Sequence, residues 1–253
     1  MCTVLVLFRP GDAWPLLVGA NRDESFDRAF LPPGRHWPSA PDIVAPRDLT
    51  AGGTWFGVNE RGVFATIVNG IDRLGPAEGK TSRGELVLRA LGEPDATRAV
   101  RAVGALDAQR YRGFTLLVAD RETAHAVSSD ERTIRVDGLA PGHHMVTPQG
   151  CDAAGSPRFD AHFPAFRAAP PPVPPRDWEN WIELLKHADD DDPHRAMTVL
   201  TDAGFGTVCS SLLALPAAPH ETPVLLFANG PPTRAPYEPV TAPWADVSNV
   251  GRA

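Results

Sequence analysis

Two runs in this chain are apolar at nearly every position rather than at every second one: Thr3-Val4-Leu5-Val6-Leu7-Phe8 and Val63-Phe64-Ala65-Thr66-Ile67-Val68. Successive side chains of a strand point to opposite faces, so a strand of this kind needs cover above and below. A one-sided sheet is thereby excluded. The pattern predicts packed sheets with helices outside them.

The first run is followed by a turn, Pro10-Gly11-Asp12, and by a second apolar run, Leu16-Leu17-Val18-Gly19-Ala20, that ends in the polar block Asn21-Arg22-Asp23-Glu24. These read as an antiparallel pair. Asn21 and Asp23 fall on one side of the second strand, Arg22 and Glu24 on the other. Residues 25–53, with Pro32, Pro33, Pro38, Pro41 and Pro46, read as an irregular connection. Beyond it, Gly52 to Asn69 reads as a hairpin turning at Asn59-Glu60-Arg61-Gly62. Ser82-Arg83-Gly84-Glu85 fits a capping box opening a helix to about Leu91, and a second helix follows Pro94. Strands are predicted over 114–119, 123–127, 133–136, 145–147, 208–215 and 223–228, and helices over 158–168, 178–188 and 193–201. Residues 1–229 are expected to form a single domain. The Pro-rich stretch 230–253 reads as a tail on the surface or toward a partner.

A chain of 253 residues with net charge −7 and no dense Lys/Arg cluster is a poor nucleic-acid binder. No run is long and apolar enough to span a membrane, and the first is too short and lacks the basic leader of a signal peptide. A cytoplasmic location is the default expectation. Three cysteines, Cys2, Cys151 and Cys209, lie far apart with no CxxC pair, which argues against a disulfide framework and a thiolate zinc site. The histidines form no HExxH-type constellation and the Asp189–Asp192 run lacks the glycine and glutamate of a calcium loop. No metal site is expected. Phosphate-cradling and dinucleotide glycine motifs are missing as well.

The sharpest chemical signal is Cys2. If Met1 is removed, residue 2 carries a thiol and a free α-amine, whose ordinary pKa values of ~8.5 and ~8 are matched for proton transfer. Nucleophile and base then share one residue. Asp23 is placed to hold the resulting ammonium. An ordinary buried strand thiol is the competing reading. Asn69 ends an apolar strand, either as an oxyanion donor or as a turn residue before Gly70.

The set Met1-Cys2, Asn21-Arg22-Asp23-Glu24, Arg47-Asp48, Gly52-Gly53-Thr54-Trp55-Phe56-Gly57-Val58-Asn59, Ser82-Arg83-Gly84 and Gly206-Thr207 before Ser210-Ser211 resembles the NRDE, or transport-and-Golgi-organisation, family. The resemblance runs from residue 2 to about 215. It implies an α+β fold of the N-terminal nucleophile hydrolase type, a four-layer αββα sandwich of two mainly antiparallel sheets. More distantly the chain is similar to choloylglycine hydrolases and penicillin acylases. That similarity implies Cys2 as nucleophile, Asp23 beside the α-amine and Asn69 at the oxyanion, with Asn21, Arg22, Arg47 and Trp55 supporting or binding substrate. Three departures stand out: Gly19 or Ala20 replaces an arginine of that group, Thr147-Pro148-Gln149 replaces a second asparagine, and Val208-Cys209 stands where some relatives carry an arginine.

Two functions are implied. One is a cysteine hydrolase or acyl-transferase acting on an amide or thioester of a small acyl-bearing molecule, with no cofactor. The other is a carrier of haem, lipid or acyl-coenzyme A, using an apolar cleft between the layers with Trp37, Trp55 or Trp178 as lining. The sequence leaves the oligomeric state open.

Overall fold

The computed structural model describes residues 2–241 apart from 72, 74, 190 and 191. Its strands form two antiparallel sheets. One has the order β11-β10-β1-β2-β12-β13-β14, made of β1 (Thr3–Phe8), β2 (Leu16–Ser25), β10 (Gly142–Thr147), β11 (Gly150–Cys151), β12 (Phe205–Leu215), β13 (Val224–Ala228) and β14 (Glu238–Pro239). The other runs in sequence order through β3 (Phe30–Gly34), β4 (Ile43–Asp48), β5 (Phe56–Asn59), β6 (Phe64–Asn69), β7 (Phe114–Ala119), β8 (Ala124–Ser129) and β9 (Ile134–Gly138). Helices α1 (Gly84–Leu91) and α2 (Ala96–Gly104) cover the second sheet, and α3 (Pro157–Ala168) and α4 (Glu179–Lys186) the first.

Alternation along the doubly buried strands assigns the layers. Val4, Val6, Phe8, Leu16 and Val18 meet Phe56, Val58, Phe64 and Val68 between the sheets. Leu5, Leu7 and Leu17 turn outward onto Phe166, Trp178, Trp181 and Leu185. Ala65 and Ile67 turn the other way onto Leu86, Val87, Ala90 and Leu91. Burial of each large side chain stabilises the fold by ~1.5–3 kcal/mol. The result is the αββα sandwich.

Three local expectations are corrected. The segment 25–53 contains two strands, β3 and β4. Their prolines are accommodated because β3 is a sheet edge whose register with β4 shifts between Leu31 and Gly34, at Pro32 and Pro33, and because Pro46 lies beyond the β4–β5 pairs at Ile43 and Val44. The expected helix at 193–201 does not form. There the N–H groups of Met197 and Thr198 both donate to the Leu184-turn residue His187 at 2.9 Å, and Thr207 N–H bonds Val199 O at 2.8 Å, so tertiary bonding overrides the local pattern. The helix at Ser82 forms without a capping box: its N-cap is Arg83, and Ser82 Oγ accepts only from Gly84 N–H at 3.3 Å. Of the stretch expected as a tail, Glu238–Pro239 pairs with β13, while 242–253 lie outside the described residues.

Candidate active site

Cys2 leads into β1 at the same end of the sandwich where β2 reaches Arg22-Asp23-Glu24, since Thr3 pairs with Asn21. The carboxyl-terminal ends of β4 and β6 bring Asp48 and Asn69 to this end as well. A cavity of about 290 Å³ opens there, lined by Cys2, Arg22, Asp23, Glu24, Trp55 and Asn69 among others. Cys2 is half-buried, and its Sγ lies 3.7 Å from the carbonyl oxygen of Asp23. Burial raises its thiol above the ordinary range; the amino terminus and Arg22 pull it down, and Asp23 pushes it up further. At rest, then, the thiol holds its proton.

Asp23 is held on the helix side of β2. Its Oδ1 accepts from Thr207 Oγ1 at 2.6 Å, and Thr207 in turn accepts from Val199 N–H at 2.8 Å. Arg158, buried near the start of α3, places Nη1 3.7 Å from Asp23 Oδ2, with Nη1 donating to Thr3 Oγ1 at 2.9 Å and Nη2 to Pro193 O at 3.0 Å. Burial raises the Asp23 carboxyl, against the pull of the amino terminus, Arg158 and Thr207. A bulge in β12 creates this contact: the register slips between Thr207 and Cys209, so that Thr207 pairs with Asp23 and Cys209 with Arg22.

Arg22 faces the space between the sheets. Its guanidinium sits 3.7 Å from the centroid of the Trp55 ring and 3.6 Å from both Glu24 and Asp48. Arg28 joins the same network through Asp48 at 2.8 Å and Glu24 at 3.6 Å. With a side chain only 5% exposed, Arg22 leaves Nη1 without a hydrogen-bond acceptor among the described residues.

The remaining predicted site residues lie elsewhere. Asn21 is a strut: Nδ2 donates to Leu185 O and Met197 O, both at 2.9 Å, and Oδ1 accepts from Ser210 Oγ at 2.6 Å. It ties β2 to the end of α4 and does not line the main cavity. Arg47 does not line it either; its neighbour Asp48, on the opposite face of β4, does. Thr147 is buried in β10. Trp37 donates its ring N–H to Gly52 O at 3.1 Å, and Trp178 belongs to the core under α4, so neither lines an inter-layer cleft. Between the sheets beside Cys2 and Cys209 lies a void of about 10 Å³.

Sequence reasoning passed over Arg28, Lys80, Arg112 and Arg158, and had Asp48 and Arg83 only as members of motifs. The signal for Arg83 was present in Ser82-Arg83-Gly84, a segment that also docks against the motif glycines. A Cβ on Gly53 would lie 2.7 Å from the Gly84 carbonyl carbon, so the two backbones touch and bring the start of α1 to the cavity rim. Among the described residues one group, His144, Cys151 and Asp152, brings three potential metal-ligand atoms within 4.8 Å of one another. Both ring nitrogens of His144 are already engaged, by Asp152 Oδ2 at 2.6 Å and Ala140 O at 2.7 Å. No helix among the described residues is long and apolar enough to cross a membrane.

The profile of the Transport and Golgi organisation 2 family matches residues 1–162. The curated Transport and Golgi organization protein 2 homolog of Bos taurus is 33% identical over 132 residues, covering 47% of this chain and 45% of that protein. Its Homo sapiens counterpart is 30% identical over 135 residues, covering 49% of this chain and 47% of that protein. The chain therefore spans about half the length of the curated relatives it matches. Among solved structures it is similar to the Caenorhabditis elegans ortholog of N-acylethanolamine-hydrolyzing acid amidase (TM-score 0.56, 14% identity, 87% of this chain and 94% of that one). Penicillin V acylase from Agrobacterium tumefaciens aligns with TM-score 0.52 and 12% identity over 90% of this chain and 83% of that one. A mutant of the conjugated bile acid hydrolase from Clostridium perfringens aligns with TM-score 0.51 and 13% identity over 95% and 92%. At such identities the likeness is one of fold, that of the N-terminal nucleophile hydrolases.

Proposed function

On the premise that this chain belongs to the Transport and Golgi organisation 2 family, we propose that it is a cysteine hydrolase or acyl-transferase acting on an amide or thioester of a small acyl-bearing molecule. The observation that carries the reading is the convergence of Cys2, Asp23 and Asn69 on one cavity. The fold neighbours, named as an amidase, an acylase and a hydrolase, lend it the reaction class.

In this mechanism Met1 is removed and the α-amine of Cys2 becomes the base. Sγ attacks the substrate carbonyl while the amine takes the thiol proton. Asp23, braced by Thr207 and Arg158, holds the ammonium. Asn69 donates its amide N–H to the oxyanion, and such a donor is worth ~10²–10³ in rate. Collapse of the tetrahedral adduct returns the proton to the leaving amine or thiol, and water or an acceptor amine then cleaves the thioester on Cys2.

The carrier reading asks for an apolar slot between the layers to take haem or an acyl chain. The packed space around Cys2 and Cys209 weighs against such a slot there. The experiment is intact-mass analysis of the purified protein before and after exposure to a p-nitrophenyl acyl ester. Loss of Met1 and a single acyl adduct mapped to Cys2 are expected, discharged by hydroxylamine. Retained Met1, or an adduct unaffected by Cys2→Ala, overturns the mechanism.

A further inference from the structure

The cavity has two unlike walls. On the β2–β4 side the charges balance: Arg22 and Arg28 against Glu24 and Asp48, with ion-pair distances of 2.8–3.6 Å. Asp23 is answered from behind by Arg158. On the facing side, residues 75–84 together with Arg112 contribute Lys80, Arg83 and Arg112 to the lining and no carboxylate. Lys80 is paired at 3.1 Å with Glu131, which does not line the cavity. Arg83 is held differently: Nη1 donates to Gly113 O at 3.0 Å and Nη2 to Gly75 O at 3.3 Å. Carbonyl acceptors fix the direction of a guanidinium without cancelling its charge. Arg112 Nη1 donates to the same Gly75 carbonyl at 3.4 Å, beside its other interactions. Burial, and then Arg112, draw the Arg83 pKa down to about 10, which still leaves a full cation at neutral pH; Cys2 and Glu24 are near enough to act on it in the opposite sense.

A half-buried guanidinium held by two carbonyl oxygens keeps its full charge for an arriving anion. Arg83 is also rigidly mounted, because Gly53 and Gly84 touch backbone to backbone beneath it. The feature is local. The whole chain carries a net charge of −7, so this wall opposes the protein's overall sign.

We infer that Arg83, with Lys80 and Arg112, is the specificity wall of this cavity, and that the preferred substrate carries a carboxylate or phosphate group away from the carbonyl that Cys2 attacks. The substrate class becomes an anionic acyl compound. The inference deepens the reading of Cys2 as nucleophile and rests on it for the reaction; the anion site itself stands on the cationic wall alone.

The test labels Cys2 with N-ethylmaleimide, which is neutral, and with 3-maleimidopropionate and 6-maleimidohexanoate, which carry a carboxylate on a short and a long arm. At low salt at least one anionic reagent is expected to react about tenfold faster than the neutral one. In Arg83→Gln the anionic-to-neutral ratio falls to about one, and in Arg83→Lys a part of it returns. A ratio unchanged in Arg83→Gln overturns the inference. Competition by inorganic phosphate against glutarate tells which anion the wall prefers: greater slowing by one assigns the group, and slowing by neither counts against the wall. If Cys2 reacts with no reagent, the nucleophile reading fails by itself. The wall is then judged by thermal melting: a rise in Tm with phosphate or glutarate that Arg83→Gln abolishes supports it, and no rise with either overturns it.

Discussion

Replacing Arg158 by Met removes a cation and keeps most of its apolar stem. Arg158 is 2% exposed, pairs with Asp23 at 3.7 Å, and donates to Thr3 Oγ1 and Pro193 O at 2.9 and 3.0 Å. Removing one member of a buried ion pair costs ~3–5 kcal/mol, even though Thr207 and the amino terminus still act on Asp23. The two lost hydrogen bonds belong largely to the same sum, since the charged donor is what makes them strong. For a chain of 253 residues each kcal/mol lowers Tm by roughly 2 °C, so a fall of about 6–10 °C is expected. Urea denaturation followed by tryptophan fluorescence reads the same loss, because Trp178 and Trp181 sit in the layer that Arg158 joins to β1. The decisive comparison is a double-mutant cycle with Asp23→Asn. If the pair interacts as the geometry says, the double variant is less damaged than the sum of the singles by about 2–3 kcal/mol. A single-variant loss under about 1 kcal/mol, or additivity within about 0.5 kcal/mol, would refute the brace.

Three more outcomes follow from the geometry. Cys2, with its thiol held above the ordinary 9.0, should be alkylated by iodoacetamide at a rate that still climbs past pH 9; a plateau below pH 8 contradicts the burial argument. Gly53→Ala drives a Cβ to 2.7 Å from the Gly84 backbone and should cost about 1–3 kcal/mol, read as a lower Tm; an unchanged Tm means the two backbones are free to part. At His144 burial works against the charge, but Asp152 and the Ala140 carbonyl win, so its pKa is raised. A raised histidine stabilises the fold in acid and loses that contribution as pH rises through the folded value. An NMR titration should find the ring titrating above 6.5, with amides of β10 and β11 exchanging faster on the alkaline side; a midpoint below 6.5 refutes the double-acceptor geometry.

How much of this was legible beforehand depends on which residues decide each element. The layers were, because runs such as Thr3–Phe8 and Phe64–Val68 are apolar on both faces and only stacking can cover them. The separation of Asn21 and Asp23 from Arg22 and Glu24 was legible too, since it needs only the period of a strand. Strands β3 and β4 were not. Their prolines argue against a strand unless the reader knows that β3 is an edge, and sheet order is a tertiary fact. Residues 193–201 failed for a related reason: what shapes them is Asn21 and Thr207, far away in the sequence. Within the cavity, the Arg47-Asp48 motif was visible but not which of the two faces inward, because that turns on the phase of a strand that had not been recognised. Ser82-Arg83-Gly84 was visible as a motif and read as a cap, because its contact with Gly53 is invisible in one dimension.

The slip in β12 between Thr207 and Cys209 has a consequence for how such a site can vary. In an even ladder the hydroxyl now bonded to Asp23 would stand one place further along, opposite Glu24, and its side chain would turn to the other face. Lengthening this stretch by one residue would therefore rewire the surroundings of the carboxylate without exchanging any side chain, whereas removing Val208 would leave Thr207 opposite Asp23 in an even ladder. Chain length at this point acts as an adjustable parameter of the chemistry. Relatives that keep every functional letter and carry one further residue here should differ in how readily that carboxyl holds its proton.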